Sequence, residues 1–277
     1  MPRPQLTHIE SALVRASLVE SPELDLVPGG PDGAGFQPVW RLHSDAVNRQ
    51  LIERWLPRGR AKRVLKTDLF DEAVSAGLYP ALAGRAESFT GIDISVPVLS
   101  AARSRYPGIE AVRADVRRLP FAAGEFELVV SPSTLDHFSR IEDIGVALRE
   151  IHRVLEPGGL LLLTLDNGAN PIVAIRNALP FERLHRLGVL PYYVGATYGP
   201  RRLRRMLDRA GFRVNRVGSV LHCPRILAVP AAAVLASRGS ARAKARFLRL
   251  LRGFEVLGGL PTRFLTGHFV AVLAARD

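Results

Sequence analysis

The sequence predicts an α/β fold built on a doubly wound, mainly parallel sheet. From residue 61 onward, short apolar segments alternate with amphipathic segments of helical period, an order typical of parallel strands joined by right-handed crossovers. Residues 160–165 are almost entirely apolar, as expected for a strand with both faces buried. Because such sheets bind ligands at the carboxyl ends of their strands, the residues that follow each strand are the first candidates for a functional site.

Each element has its own signal along the chain. Ser44 is a plausible N-cap for the first helix, and Pro157 with Gly158 and Gly159 is expected to end a later one. The predicted helices share apolar residues at a spacing of three to four and cover residues 44–56, 96–106, 141–155 and 201–210. Seven short apolar segments are predicted to be strands. The first begins at residues 63–65, and the others lie at 88–93, 109–115, 126–131, 160–165, 212–217 and 268–274.

Length and composition describe an ordinary globular chain. The 277 residues are 47% hydrophobic and 23% charged, which excludes fibrous, low-complexity and disordered classes. Cys223 is the only cysteine, so we exclude an intramolecular disulfide and expect a reducing, cytoplasmic location. We expect neither secretion nor a membrane span, since no signal-peptide pattern opens the sequence and the apolar segment 226–236 is too short to cross a bilayer.

The net charge of +12 is unevenly distributed. Residues 1–160 carry 19 basic and 21 acidic side chains, whereas residues 161–277 carry 19 basic and 5 acidic ones. Almost all of the basic residues are arginines, in an alanine-rich chain, which indicates a coding bias more than a phosphate-binding surface. We therefore expect no nucleic-acid partner.

The amino-terminal segment differs in composition from the rest of the chain. Residues 22–38 hold four prolines and four glycines, which is typical of a loop. Residues 1–40 are therefore predicted to be a leader or a lid, and residues 41–277 to form one domain.

The last two predicted strands are separated by a long helical insertion at about residues 221–266. It contains an apolar segment, 226–236, and a basic amphipathic segment, 241–251. We expect a lid or packing helix, with a dimer surface or a patch that docks on anionic lipid as alternatives.

Four local motifs follow the predicted strands and turns in a fixed order. They are GIDIS at 91–95, ADVRRLPF at 114–121, FELVVS at 126–131 and RVLEPGG at 153–159. Together they resemble the class I S-adenosylmethionine-dependent methyltransferases, in particular the small-molecule branch, over about residues 60–220. The resemblance implies a seven-stranded Rossmann-like sheet, S-adenosylmethionine as cofactor and methyl transfer to a small-molecule acceptor.

The resemblance also implies roles for individual residues. Asp93 would accept hydrogen bonds from both ribose hydroxyls while Ile94 packs on the adenine. Asp115 would accept from the adenine amino group, and the backbone amide at Val116 would contact the ring. Asp93 could instead be a strand-terminal turn residue or serve a nicotinamide cofactor, although no GxGxxG sequence follows the first strand.

The loop after the fourth strand would form the floor of the donor site, next to Ser131. His137 in this loop is a candidate general base, because the pKa of histidine lies near neutrality. A purely structural loop histidine is the alternative.

The first strand and its loop depart from the family pattern. Lys66 stands where an acidic residue is expected, and Asp68, Phe70 and Glu72 stand where glycines are expected. These side chains would crowd the methionine end of the donor, and Lys66 would repel its cationic groups by roughly 1 kcal/mol or more.

Two interpretations of this loop remain open. In the first, the loop is rebuilt: Thr67 and Asp68 lie at the donor, Asp68 or Asp71 binds the amino group, Lys66 or backbone amides bind the carboxylate, and Gly77 allows close approach. In the second, the domain is a non-catalytic binding or scaffold protein.

The acceptor is expected to bind near the polar loop at residues 166–171. Tyr192, Tyr193 and Tyr198 follow this loop and could form the wall of a pocket for a hydrophobic or aromatic acceptor, or could simply pack. The arginines of the predicted helix at 201–210 are expected to face solvent. No cluster of residues indicates a metal site.

Overall fold

The computed structural model describes residues 38–179, 195 and 197–277, which include a seven-stranded sheet. Its strands have the spatial order β3-β2-β1-β4-β5-β7-β6, and β7 is antiparallel to both of its neighbours while the other pairs are parallel. The predicted doubly wound α/β fold is confirmed. The strands are β1 Ala61–Lys66, β2 Ala86–Asp93, β3 Glu110–Arg113, β4 Phe126–Pro132, β5 Leu155–Asp166, β6 Phe212–Val220 and β7 Phe269–Arg276.

Helices cover both faces of the sheet. Adjacent residues of one strand point to opposite faces, so Val64 packs in one core and Leu65 in the other. The helices are α1 Pro38–Trp55, α2 Phe70–Val74, α3 Tyr79–Ala83, α4 Val96–Arg105, α5 Ile141–Val154, α6 Pro171–Ala178, α7 Pro200–Arg209, α8 Arg225–Arg238, α9 Ala241–Gly253 and α10 Arg263–Thr266. Within the described ranges, no helix combines the length and apolarity that crossing a membrane requires.

Two boundaries differ from the predicted ones. Helix α1 begins at Pro38, so Ser44 lies inside it and is not its N-cap, because the buried Val39 and Trp40 extend its apolar face upstream. Strand β5 begins at Leu155, where the backbone is already extended. Its early part is irregular, with Gly158 at a φ of +81°.

The insertion packs against α1 and one face of the sheet. Helices α8 and α9 contribute the buried residues Ala228, Ala232 and Leu251 to the same core as α1. The carboxylate of Glu255 accepts from the backbone N–H groups of Leu221 and His222 and fixes the entry of the insertion. The basic segment predicted at 241–251 is α9. Residues 1–37 of the predicted leader lie outside the described residues.

Candidate functional site

The loop after β1 is organised by a buried ion pair. Lys66, the last residue of β1, is fully buried, and its Nζ donates to Glu72 Oε2 at 2.9 Å and to Asp68 Oδ1 at 3.2 Å. The other oxygen of Glu72 accepts from the backbone N–H groups of Leu78 and Tyr79 at 2.8 and 3.1 Å. Burial opposes the charge of Lys66, but the two carboxylates outweigh it and raise its pKa. The lysine is therefore charged and neutralised within the loop.

The expected repulsion by Lys66 is wrong, and two of the three side chains expected to crowd the donor pack within the protein. The Lys66 ammonium faces two carboxylates and no solvent, so it presents no uncompensated positive charge to a ligand. The Glu72 side chain is also buried, and Phe70 packs beneath the Arg41 guanidinium. For the same reason Lys66 is not available to bind a carboxylate.

Gly77 serves the ion pair. Its φ is +58°, and a Cβ there would lie 2.6 Å from Glu72 Oε1. Glycine at this position therefore makes room for the buried carboxylate of the loop, and the suggested close approach of Gly77 to a ligand is not needed to explain it.

Asp93 joins the rebuilt loop to the end of β2. Its Oδ2 accepts from the backbone N–H of Leu69 at 3.2 Å, and its Oδ1 accepts from that of Ser95 at 2.8 Å. Burial raises the pKa of Asp93 to about 6, against the lowering effect of the hydrogen bond from Ser95. Each oxygen keeps further acceptor capacity, because an ionised carboxylate offers about four lone-pair sites. Ile94, the next residue, is 40% exposed.

The contact between β2 and Leu69 gives a first testable prediction. A Cβ at Gly91 would lie 2.4 Å from Leu69 Cδ2, and Leu69 is fully buried. We expect Gly91→Ala to push Leu69 and its loop away from β2 and to lower the free energy of unfolding by about 1–3 kcal/mol. Urea unfolding would measure this loss. Gly84→Ala is the control, since no atom lies within 4 Å of its added Cβ, and equal stability of the two variants would contradict the prediction.

Hydroxyl groups fix the other side of the loop. Thr67 Oγ1 donates to Ser131 Oγ at 2.9 Å, and Thr134 Oγ1 donates to Asp68 Oδ2 at 3.0 Å. The side chains of Thr67 and Ser131 are buried, and their hydrogen bond attaches the loop to β4. Thr134 was not among the predicted site residues; its position just beyond β4 is the signal that could have identified it.

Asp115 is occupied by a neighbouring arginine. The Arg117 guanidinium contacts both of its oxygens at 2.7–3.1 Å, and the backbone N–H of Arg117 donates to Oδ1 at 2.8 Å. Arg117 also reaches Asp143. The adjoining Val116 is buried. Sequence reasoning missed Arg117, although its spacing of two residues from Asp115 permits this contact.

His137 lies beside a buried acidic group at the ends of β4 and β5. It is half-buried in a short 3-10 turn, Leu135–His137. The neighbouring Asp136 accepts through Oδ2 from Ser133 Oγ and from the backbone N–H of Asp166 at 2.9 and 3.0 Å. Its Oδ1 is buried and has no hydrogen-bond partner. Burial and the nearby Asp166 raise the pKa of Asp136 to about 6. Asp136 was not among the predicted site residues.

Of the two roles considered for the tyrosines, a pocket wall or packing, Tyr198 takes the second. Tyr198 is 2% exposed and packs in the core, its hydroxyl donating to the carbonyl of Ile141 at 3.3 Å. Tyr192 and Tyr193 lie outside the described residues. In the polar loop, Asn170 caps α6, and Asp166 pairs with Arg176 and His268.

Comparison with known sequences finds relatives for the part of the chain that contains β2, β3 and β4. The methyltransferase domain family matches residues 71–163. The demethylmenaquinone methyltransferase of Chlorobaculum parvum is 39% identical over 127 residues, which are 45% of this chain and 48% of that protein. The phthiotriol/phenolphthiotriol dimycocerosates methyltransferase 1 of Mycobacterium ulcerans is 37% identical over 162 residues, covering 55% of this chain and 52% of that protein. The chain therefore spans about half the length of these curated relatives.

Solved structures agree on the fold. An S-adenosylmethionine-dependent methyltransferase from Thermotoga maritima superimposes with a TM-score of 0.56 at 15% identity, over 86% of this chain and 91% of that one. Residues 71–163 thus match the methyltransferase domain family, and the sheet order of the chain is that of the fold it shares with this S-adenosylmethionine-dependent methyltransferase.

Proposed function

We propose that this protein transfers a methyl group from S-adenosylmethionine to an apolar small molecule. The observation that carries the proposal is the position of Asp93, whose carboxylate closes the rebuilt loop through Leu69 and still has lone pairs for a diol. The carboxylate is half-buried, and its two hydrogen bonds to the backbone leave lone pairs that a ligand can use.

The residues of the site fit the chemistry of this donor. Asp93 would accept from the ribose hydroxyls, with Ile94 beside the adenine and the Asp115–Arg117 pair with Val116 at the edge of the ring. Asp68 is about one-fifth exposed and would accept from the ammonium of the methionine end. This part of the site holds three carboxylates, those of Asp68, Glu72 and Asp93, and one ammonium, that of Lys66. The excess of negative charge suits a ligand that carries a sulfonium and an ammonium.

When bound, S-adenosylmethionine supplies an electrophilic methyl group on its sulfonium. The chain contributes mainly position, since holding an acceptor in line with that methyl converts a bimolecular reaction into a unimolecular one. A ring nitrogen of His137 would take the proton from an acceptor hydroxyl. Thr67, Ser131 and Thr134 would keep the loop in place beneath the donor.

The pKa of Asp93 makes donor binding depend on pH. The ribose hydroxyls donate to the ionised carboxylate, so protonation removes the acceptor. With a pKa of about 6 in the free protein, the binding constant for S-adenosylhomocysteine should be level above pH 7. Below pH 6 it should fall toward tenfold per pH unit. Titrations between pH 5 and 8 would measure it, and a constant that does not change over this range would contradict the assignment.

Replacement of His137 separates catalysis from donor binding. We expect His137→Asn to slow methyl transfer by up to about a hundredfold while S-adenosylhomocysteine binds as before. His152→Asn removes a histidine that packs against Phe212, away from the β4 loop, and serves as the control. An unchanged rate in the His137 variant would assign that histidine a structural role.

The acceptor class is tested by following the methyl group. The names of the two relatives above denote apolar acceptors, and the chain exposes apolar side chains near the carboxyl end of β5 and the amino end of β7. With methyl-labelled S-adenosylmethionine, we expect label in the organic extract when a naphthoquinol or an alkylphenol is supplied. Label found only in a polar amine would contradict the proposed class. Donor binding without label in any acceptor would favour a binding or scaffold protein.

A further inference from the structure

Exposed apolar side chains are concentrated in one part of the sequence. Ten of the thirteen large hydrophobic side chains that are exposed among the described residues lie between 172 and 265, within or beside α6 and the insertion. The exposed fraction is 74% at Val256, 68% at Leu227 and 61% at Ile226. The others are Ile172, Ile175, Leu179, Val234, Leu250, Leu260 and Leu265. Single exposed hydrophobics are ordinary, but a concentration of this kind indicates an interaction surface.

Hydrogen bonds bring α6, the start of α8 and α10 together at one edge of the sheet. Asn170, the N-cap of α6, donates to the carbonyls of Thr266 and Gly267 at the end of α10. Arg176 on α6 and His268 both pair with Asp166, and Arg225 at the start of α8 contacts His268. The exposed apolar residues of these helices therefore lie near the carboxyl end of β5 and the adjoining amino end of β7.

The charge of the insertion selects the partner. Residues 225–266 carry eight basic side chains and one acidic side chain, Glu255, which is committed to the backbone at residues 221 and 222. A second copy of the same surface would bring these like charges together, and nucleic acid would leave the apolar residues in water. Anionic lipid satisfies both features, because its headgroups attract the arginines and its acyl region takes the apolar side chains.

We propose that α6, α8, α9 and α10 form a surface that docks on an anionic bilayer, with the acceptor edge of the sheet facing the lipid. Docking of this surface on lipid is independent of whether the protein transfers a methyl group. It would give an apolar acceptor a short path from the bilayer to the carboxyl end of β5, beside the amino end of β7.

The opposite face of the sheet provides an internal control. Helix α7 exposes Arg201, Arg204 and Arg205, but its apolar residues Leu203 and Leu207 are fully buried in the other core. It thus presents a comparable charge without exposed apolar side chains. Non-specific adsorption of a basic protein would use α7 as readily as α9.

Vesicle flotation tests the proposal with the full-length chain. At 50 mM salt, we expect flotation with vesicles of equal phosphatidylcholine and phosphatidylglycerol but not with phosphatidylcholine alone. Arg242→Glu/Arg246→Glu/Arg249→Glu should lower the bound fraction by at least about tenfold, and Ile226→Ser/Leu227→Ser should do the same. Arg201→Glu/Arg204→Glu/Arg205→Glu should have no comparable effect.

Three outcomes would overturn the proposal. The first is no flotation of the original protein at low salt. The second is an equal loss of binding in the α7 variant, which would show adsorption by charge alone. The third is a dimer in size-exclusion chromatography that becomes a monomer in Ile226→Ser/Leu227→Ser while no vesicles are bound, which would show that a second copy covers this surface.

Discussion

Replacing Asp93 with alanine is expected to weaken binding of S-adenosylhomocysteine by at least about a hundredfold. A hydrogen bond to a charged group contributes about 1.5–3 kcal/mol, and the ribose offers two hydroxyls to this carboxylate. The substitution also leaves the backbone N–H groups of Leu69 and Ser95 without their acceptor. The substitution therefore removes the acceptor that holds the loop and the acceptor that would bind the ribose at the same time.

Two comparisons make this result specific. Glu87→Ala removes a carboxylate from an exposed position near the start of the same strand, and we expect it to leave binding unchanged. Thermal unfolding of the Asp93 variant would show whether the chain still folds, and Asp93→Asn offers a form of the same shape without the charge. If the folded Asp93 variants bound S-adenosylhomocysteine with the original affinity, the nucleoside would not bind at Asp93.

Replacing Lys66 with methionine is expected to lower the free energy of unfolding by about 3–5 kcal/mol. Removing one member of a buried ion pair leaves the other as an uncompensated buried charge, and the Glu72 carboxylate is fully buried. In the double variant Lys66→Met/Glu72→Gln, the amide carbonyl can still accept from Leu78 and Tyr79, and neither fully buried side chain is charged. We therefore expect the double variant to be more stable than Lys66→Met alone.

Urea unfolding of the four proteins in this cycle would measure the coupling. Lys62→Met is the matched control, because Lys62 lies on the same strand but is exposed. We expect it to change stability by less than about 0.5 kcal/mol. Equal stabilities of Lys62→Met and Lys66→Met would contradict a structural role for the buried pair.

The strands and the position of Asp93 could be predicted because local pattern determines them. Apolar segments such as 126–131 and 160–165 have the composition of buried strands, and a carboxylate that ends β2 lies at the ligand-binding edge of any parallel sheet. The amphipathic period of α5 and α7 likewise predicts these two helices from local sequence.

The rebuilt loop could not be predicted because its contacts depend on where side chains point. Lys66 in the place of an acidic residue suggested a cation facing the ligand, whereas β1 directs it into the interior, toward a carboxylate six residues later. The sequence left Tyr198 either a pocket wall or a packing role, because its neighbours in space, including Ile141, are distant in sequence. The start of α1 was misplaced because its first turn contacts the insertion, nearly two hundred residues later, where the Arg225 guanidinium lies over the Trp40 ring.

Calorimetric titration with S-adenosylmethionine and S-adenosylhomocysteine, after any copurified nucleoside has been removed, tests most directly whether the rebuilt loop forms a working donor site. The structure leads us to expect one molecule of either compound per chain, bound at micromolar strength or better. Absence of measurable heat for both compounds at millimolar concentration, with the protein folded, would contradict the account and favour a binding or scaffold protein that has lost the donor.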